Sequence, residues 1–166
     1  AVEAQPGIAR VVRGAPERHP LLAQLGVEPL SPEFDAAWLH AATRGRSVSI
    51  KHFVMNANQV VGIGNIYASE ALFLAGIDPR LRAGRLSLQR AEQLVEAVKD
   101  TLGAALAAGG SSLRNYRNSD GELGNFQLRC NVYARAGEPC RRCQAPIRLL
   151  RQGQRSTFFC PGCQKR

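Results

Sequence analysis

Apolar residues recur at helical spacing through the middle of the chain and alternate only near its ends. After Ser87, the positions Leu88, Ala91, Leu94, Val95, Val98, Leu102, Ala105 and Leu106 hold the i, i+3, i+4, i+7 interval for about five turns. Ser87 is the expected cap of this helix and Gly109-Gly110 its stop. Upstream, Ser31-Pro32-Glu33 combines an amide acceptor, a residue suited to a first turn and an acid at the positive end of the dipole. Phe34, Ala37, Trp38, Ala41 and Ala42 then follow helical spacing to Thr43, with Gly45 as terminator. Residues 47–55 predict a second helix with Ile50, Phe53 and Val54 on one face. Residues 65–75 predict another, closed by Gly76 and followed by the chain-breaking Asp78-Pro79. Between them, NANQVVGIG at 56–64 is a connector.

The ends differ. Ile8 to Val12 predicts one strand, which cannot bury a face alone, so residues 1–13 read as the remnant of a larger unit. Residues 14–29 are rich in Gly and Pro around Leu21, Leu22 and Leu25 and predict one or two helical turns. Near the other end, Ile147, Leu149 and Arg151, then Gln152-Gly153-Gln154, then Ser156 to Phe159 predict a hairpin. The fold class is therefore a mainly α-helical domain over 14–110, a polar loop over 111–129, and a small antiparallel β-hairpin module over 130–166.

Composition adds a partner. The 166 residues carry a net charge of +9. Residues 1–110 hold eleven Lys or Arg against ten acids, whereas residues 111–166 hold eleven against three. A basic third of this kind suits a polyanion and disfavours a mimic of an acidic substrate. No run of about 18 apolar residues predicts a membrane span, and the chain opens without a secretory signal pattern. The expectation is a cytoplasmic monomer.

Four of the five cysteines form two C-x-x-C pairs, Cys140/Cys143 and Cys160/Cys163, separated by the length of one hairpin. Each pair can place two thiolates on a tetrahedral ion. A module this small has too little core to fold without such a staple, and zinc binding of roughly 10–16 kcal/mol would supply it. Four protein ligands leave no open position, so the expected Zn2+ is structural. Cys130 stands outside the pattern as a packed thiol.

The segment 48–75 carries a further signal. Gly62 and Gly64 permit close approach to a ligand, and the helix beginning near Asn65 offers an anion site at its first turn. Asn65, Lys51 and Arg46 would bind phosphate there. The same residues read equally well as an N-cap and solvated basic side chains.

The run VVGIGNIYASEALF at 60–73 resembles the helix–two-turn–helix segment of the formamidopyrimidine-DNA glycosylase (Fpg) family. So do HPLLAQLGVEPLS at 19–31, IKHFVMNANQ at 50–59 and GGSSLRNYRNSDGELGNF at 109–126. VYARAGEPCRRC at 132–143 and QRSTFFCPGCQK at 154–165 resemble the family's zinc finger. The resemblance implies a base-excision-repair enzyme of bacteria, nucleoid-associated through its DNA, that everts oxidised purines from damaged double-stranded DNA, excises them, and cleaves the strand by lyase chemistry. It implies that Lys51 and Asn65 hold phosphates flanking the lesion, and that Arg46 is a further basic contact. Arg155 would bind phosphate and act in δ-elimination. Ser111, Leu113, Arg114, Asn115 and Tyr116 would belong to the loop over the everted base, and Tyr133 to the strand entering the finger.

One departure stands out. The family's nucleophile is an N-terminal proline amine beside a Glu, an apt attacker of an anomeric carbon. This chain begins Ala1-Val2-Glu3 and Pro6 is an amide, so the N-terminal β-sandwich half is expected to be absent and the fragment inactive alone. An endonuclease VIII-type pyrimidine enzyme and a stand-alone zinc-dependent DNA-binding module are the alternatives. The S-D-G-E-L-G run at 119–124 favours the purine enzyme.

Overall fold

The computed structural model describes residues 2–5, 8–11, 25–109 and 129–166. Its first element is a hairpin of β1 (Val2–Gln5) and β2 (Ile8–Val11), antiparallel with Val2 opposite Val11. The expected single strand thus has a partner. Residues 14–24 lie outside the described residues. The remainder of that stretch is extended and turn rather than helix, with Val27 bridging Val60 in parallel.

The helices are α1 (Ala36–Thr43), α2 (Ile50–Met55), α3 (Asn65–Ala75) and α4 (Leu88–Ala107), with a 3-10 turn at Ala83–Arg85. Helix α4 begins at its expected cap, with Ser87 accepting from the Arg90 amide. Helix α3 runs over the expected residues and closes on Gly76 at φ +71°, the left-handed conformation that favours glycine.

Two helix starts differ from the sequence reading. Ser31 turns its hydroxyl back to the Glu28 carbonyl at 2.7 Å, and Asp35 caps α1 by accepting from the Trp38 amide at 2.7 Å. Helix α2 begins at Ile50, not 47, because the backbone before it is already paired. The Ala83 amide donates to the Val48 carbonyl at 2.9 Å and the Ile50 amide to the Leu81 carbonyl at 2.7 Å. Residues committed to that bridge cannot also close helical hydrogen bonds.

The main core is formed by one face of each helix: Phe34 and Leu39 from α1 and its entry, Ile50, Phe53 and Val54 from α2, Ala68 and Leu72 from α3, and Leu94 and Val98 from α4. A second, smaller core joins Phe73 of α3 to Val132, Ile147, Cys140 and Cys160. Phe73 therefore faces away from the main core and seats the C-terminal module.

That module is built on β3 (Arg148–Gln152) and β4 (Arg155–Phe159), antiparallel with Gln152 opposite Arg155. The turn is Gly153-Gln154, one residue shorter than expected, since Gln152 is still in the ladder. Its last residues dock on α3: the Asp78 amide donates to the Lys165 carbonyl at 2.9 Å and the Lys165 amide to the Gly76 carbonyl at 3.0 Å.

Candidate nucleic-acid interface and zinc centre

Helices α2 and α3 are joined by the connector in which Gly62 takes φ +80°. This pair presents Lys51 and Asn65 toward the hairpin, and the hairpin presents Arg155. The first two meet at one backbone group of the hairpin. The Asn65 Nδ2 donates to the Ser156 carbonyl at 2.9 Å, and Lys51 Nζ approaches the same oxygen at 3.4 Å. Lys51 Nζ also donates to Thr157 Oγ1 at 2.5 Å. Arg155 is the adjacent residue and lines, with Lys51, His52, Met55, Asn56 and Gln152, a cleft of about 220 Å³.

These contacts exclude the plainer reading left open above for Lys51 and Asn65. Lys51 is not a solvated surface residue: it is 2% exposed. Burial, followed by the nearby Arg155 charge, lowers its amine from 10.5 to about 8. Asn65 is not the cap of α3 either. Gly64 occupies that position and no side chain caps the first turn, while Asn65 is the first helical residue and spans to the hairpin. Its Oδ1 is buried without a hydrogen-bond partner among the described residues. Arg46 does not join this cluster. Its backbone carbonyl anchors the Gly84 amide at 2.9 Å and its side chain is exposed. Ser111, Leu113, Arg114, Asn115 and Tyr116 lie outside the described residues.

Several residues of the site escaped the sequence. Thr157 is fully buried and donates its hydroxyl proton to Gln152 Oε1 at 2.8 Å, and Gln152 Nε2 donates to the Pro79 carbonyl at 3.1 Å. This chain of bonds ties Lys51 through the hairpin to the segment after α3. Glu70 is 3% exposed on α3. Its carboxylate accepts from the amides of Asn131, Val132 and Tyr133 at 2.8–2.9 Å and from Asn131 Nδ2 at 3.2 Å. An acid at i+4 from Ile66 and i−3 from Phe73, on an otherwise apolar face, was the available signal. The same bonds make residues 131–134 a turn rather than the strand expected at Tyr133, whose ring instead packs edge-on against Phe158 at 5.1 Å.

The four cysteines converge as their spacing predicts. The sulfurs of Cys140, Cys143, Cys160 and Cys163 all lie within 4.8 Å of one another. Cys140 and Cys163 are 3.8 Å apart, and Cys143 and Cys160 are 3.4 Å apart. A tetrahedral zinc with bonds near 2.3 Å requires about 3.8 Å between sulfurs, so the donor set fits one ion. Backbone amides of Arg142 and Cys163 point at the Cys140 and Cys160 sulfurs at 3.4 Å, the arrangement that stabilises thiolate. Behind the ligands, Gln164 accepts from the Cys160 amide at 2.8 Å and donates to the Ile77 carbonyl at 2.9 Å. The metal knuckle is thereby fixed to the end of α3. Cys130 is buried beside Ile66 and Ala105, outside the metal site, and burial followed by the Glu70 charge pushes its thiol to about 12.

A glycine-hinged helical pair and a four-cysteine hairpin sharing one basic cleft define a helix–two-turn–helix and zinc-finger protein. A family model described as "Formamidopyrimidine-DNA glycosylase H2TH domain" matches residues 25–117, and one described as "Zinc finger found in FPG and IleRS" matches residues 137–166. The chain belongs to the formamidopyrimidine-DNA glycosylase family. Over 147 residues it is 61% identical to the formamidopyrimidine-DNA glycosylase of Burkholderia multivorans, covering 89% of this chain and 54% of that protein. With the Burkholderia lata relative it shares 60% identity over 147 residues, at the same coverages of 89% and 54%. It superposes on the MutM (FPG) protein of Thermus thermophilus with a TM-score of 0.84 at 38% identity, covering 93% of this chain and 59% of that one. A complex of Lactococcus lactis Fpg with DNA containing an abasic site matches with a TM-score of 0.79 at 35% identity, covering 88% and 54%. The chain thus spans about half the length of the curated relatives it matches. Among the described residues no helix is long and apolar enough to cross a membrane.

Proposed function

We propose that this chain is the DNA-binding part of a bifunctional DNA glycosylase and AP lyase that removes oxidised purines, 8-oxoguanine and formamidopyrimidines among them, from duplex DNA. The observation that carries the reading is that Lys51 and Asn65 reach the Ser156 carbonyl from the helical pair, while Arg155, the preceding residue of the hairpin, lines one cleft with Lys51. A phosphate in this cleft would meet two cations, Lys51 and Arg155. Binding two elements through one phosphate also fixes the finger against the helices, which positions the strand for eversion of a base.

The division of labour follows the elements. Residues 14–110 grip backbone with Lys51 and Asn65, and residues 130–166 do so with Arg155. Residues 111–129, including Ser111, Leu113, Arg114, Asn115 and Tyr116, cover the everted base. Arg155 attends the phosphate released in the second elimination. The zinc holds the hairpin in shape and supplies no reactive position. Lyase chemistry through a Schiff base needs an activated amine like the family's proline, and Pro6 is bound in a peptide linkage, so a polypeptide of these 166 residues alone is expected to bind DNA without cleaving it.

Fluorescence anisotropy with a duplex carrying an abasic-site analogue tests this. With about five phosphates neutralised, log K falls with log salt at a slope of about −4 to −5. Arg155→Ala weakens binding at every salt concentration. A flat salt response, or a borohydride-trapped adduct formed by the 166-residue chain, would refute the reading.

A further inference from the structure

A second basic cleft lies across the 78–82 segment from the first. It encloses about 580 Å³ and is lined by Arg80, Leu81, Arg82, Arg85, Arg90 and Arg166. Among the described residues, the side-chain carboxylate paired with these guanidinium groups is Asp78, 2.8 Å from Arg80 and 3.9 Å from Arg166. Five guanidinium groups line or flank this cleft against that one side-chain carboxylate.

Three of the five are held in place. Arg80 makes a two-pronged contact with Asp78, Nε to Oδ1 at 3.0 Å and Nη2 to Oδ2 at 2.8 Å, and stacks 4.9 Å above the Phe159 ring. Arg90 donates to the Lys165 carbonyl, and Arg166 leans on Asp78. Arg82 and Arg85 are exposed, and no hydrogen bond or ion pair among the described residues engages their side chains. Two unengaged guanidinium groups beside three fixed ones make a concentrated positive field. The main core does not require it, since Leu81, Ala83 and Leu86 supply this segment's buried apolar contacts.

The wall between the two clefts is a single stretch of backbone. Gln152, which lines the first cleft, donates to the Pro79 carbonyl at 3.1 Å, and Arg80 lines the second. Ser49 bridges Arg82, and its hydroxyl sits 2.8 Å from Nδ1 of His52 in the first cleft. Duplex DNA presents one phosphate charge per about 1.7 Å of axis. A strand seated at Lys51 and Arg155 and running across the 78–82 segment would carry further phosphates past this neighbouring cleft.

We infer that the Arg80–Arg82–Arg85–Arg90 cleft is a second phosphate-binding surface, taking the backbone of the same duplex on the flank of the stretch held by Lys51, Asn65 and Arg155. This rests on the proposed DNA-binding reading and extends its footprint. Arg82 and Arg85 contact phosphate directly; Arg80 and Arg90 hold the field in place.

The test uses the 166-residue chain, zinc-loaded, with a duplex of about 26 base pairs bearing a central abasic-site analogue, long enough to pass both clefts. The double variant Arg82→Gln, Arg85→Gln is compared with a control of equal charge loss, Arg129→Gln with Arg141→Gln, both exposed and outside the cleft lining. The cleft variant is expected to bind about tenfold more weakly, with a salt slope shallower by about 2, while its zinc content and melting temperature stay those of the parent. An effect no larger than the control's, with Arg155→Ala still weakening binding, overturns the second surface and leaves the first. If the parent chain binds no DNA, both fall together.

Discussion

Lys51 offers a sharp test because its charge is set by tertiary structure. Burial against Thr157 and the charge of Arg155 bring its amine from 10.5 to about 8. At pH 7 about nine molecules in ten then carry the charge that a phosphate needs, and at pH 9 about one in ten. Apparent affinity scales with the competent fraction, so binding of an abasic-site duplex should weaken about tenfold between pH 7 and pH 9. Folding stability should move the opposite way. The folded amine titrates below its unfolded value, so the unfolded chain binds the extra proton between about pH 8 and 10.5. Stability therefore rises with pH across that window as the cost of burying a charged amine is relieved. Anisotropy and chemical denaturation at constant ionic strength read the two trends. Lys51→Gln should abolish the pH dependence of binding, and Arg155→Ala should move its midpoint upward. A parent chain whose affinity is flat from pH 7 to 9, or a Gln variant that keeps the decline, would sink the reasoning.

Three further outcomes are expected. Glu70→Ala leaves the amides of Asn131, Val132 and Tyr133 without their shared acceptor; with the Val132 amide buried and the other two part-buried, it should cost about 1–3 kcal/mol in urea unfolding, and an unchanged stability would contradict the role given to it. Zinc removal by a chelator, or Cys140→Ser, should collapse residues 137–166 and abolish DNA binding. Helical circular dichroism should survive, because the main core lies within residues 27–102, and a hairpin that stays intact by NMR without metal would be the contrary result. Gly26→Ala would place a methyl 2.1 Å from the Gln59 carbonyl group. Overpacking against backbone should cost about 1–3 kcal/mol or more, and an unchanged melting temperature would show that the 25–27 segment yields.

What the sequence determined about this protein is what lies within reach of a few residues along the chain. Helices α3 and α4 follow from apolar periodicity with Ser and Gly at their ends. The zinc ligands follow from two C-x-x-C pairs at hairpin distance, since a metal site of this kind is written in local spacing. Helix starts were legible only where the backbone had no competing partner. Ser87 caps α4 as read, whereas residues 47–49 are drawn into pairing with 81–84 and Ser31 is turned back to Glu28. Tertiary structure alone decided the site. Lys51 looks like any exposed lysine until Thr157, 106 residues away, receives its amine, and Glu70, an acid on an apolar helix face, finds its partners only when the 131–133 amides fold over it. The Arg80–Arg90 cleft likewise exists only because the chain's last residues return to the end of α3. Charge and hydrogen-bonding capacity are properties of a residue, but desolvation and partnership belong to its surroundings, and no period in the sequence encodes contacts a hundred residues apart.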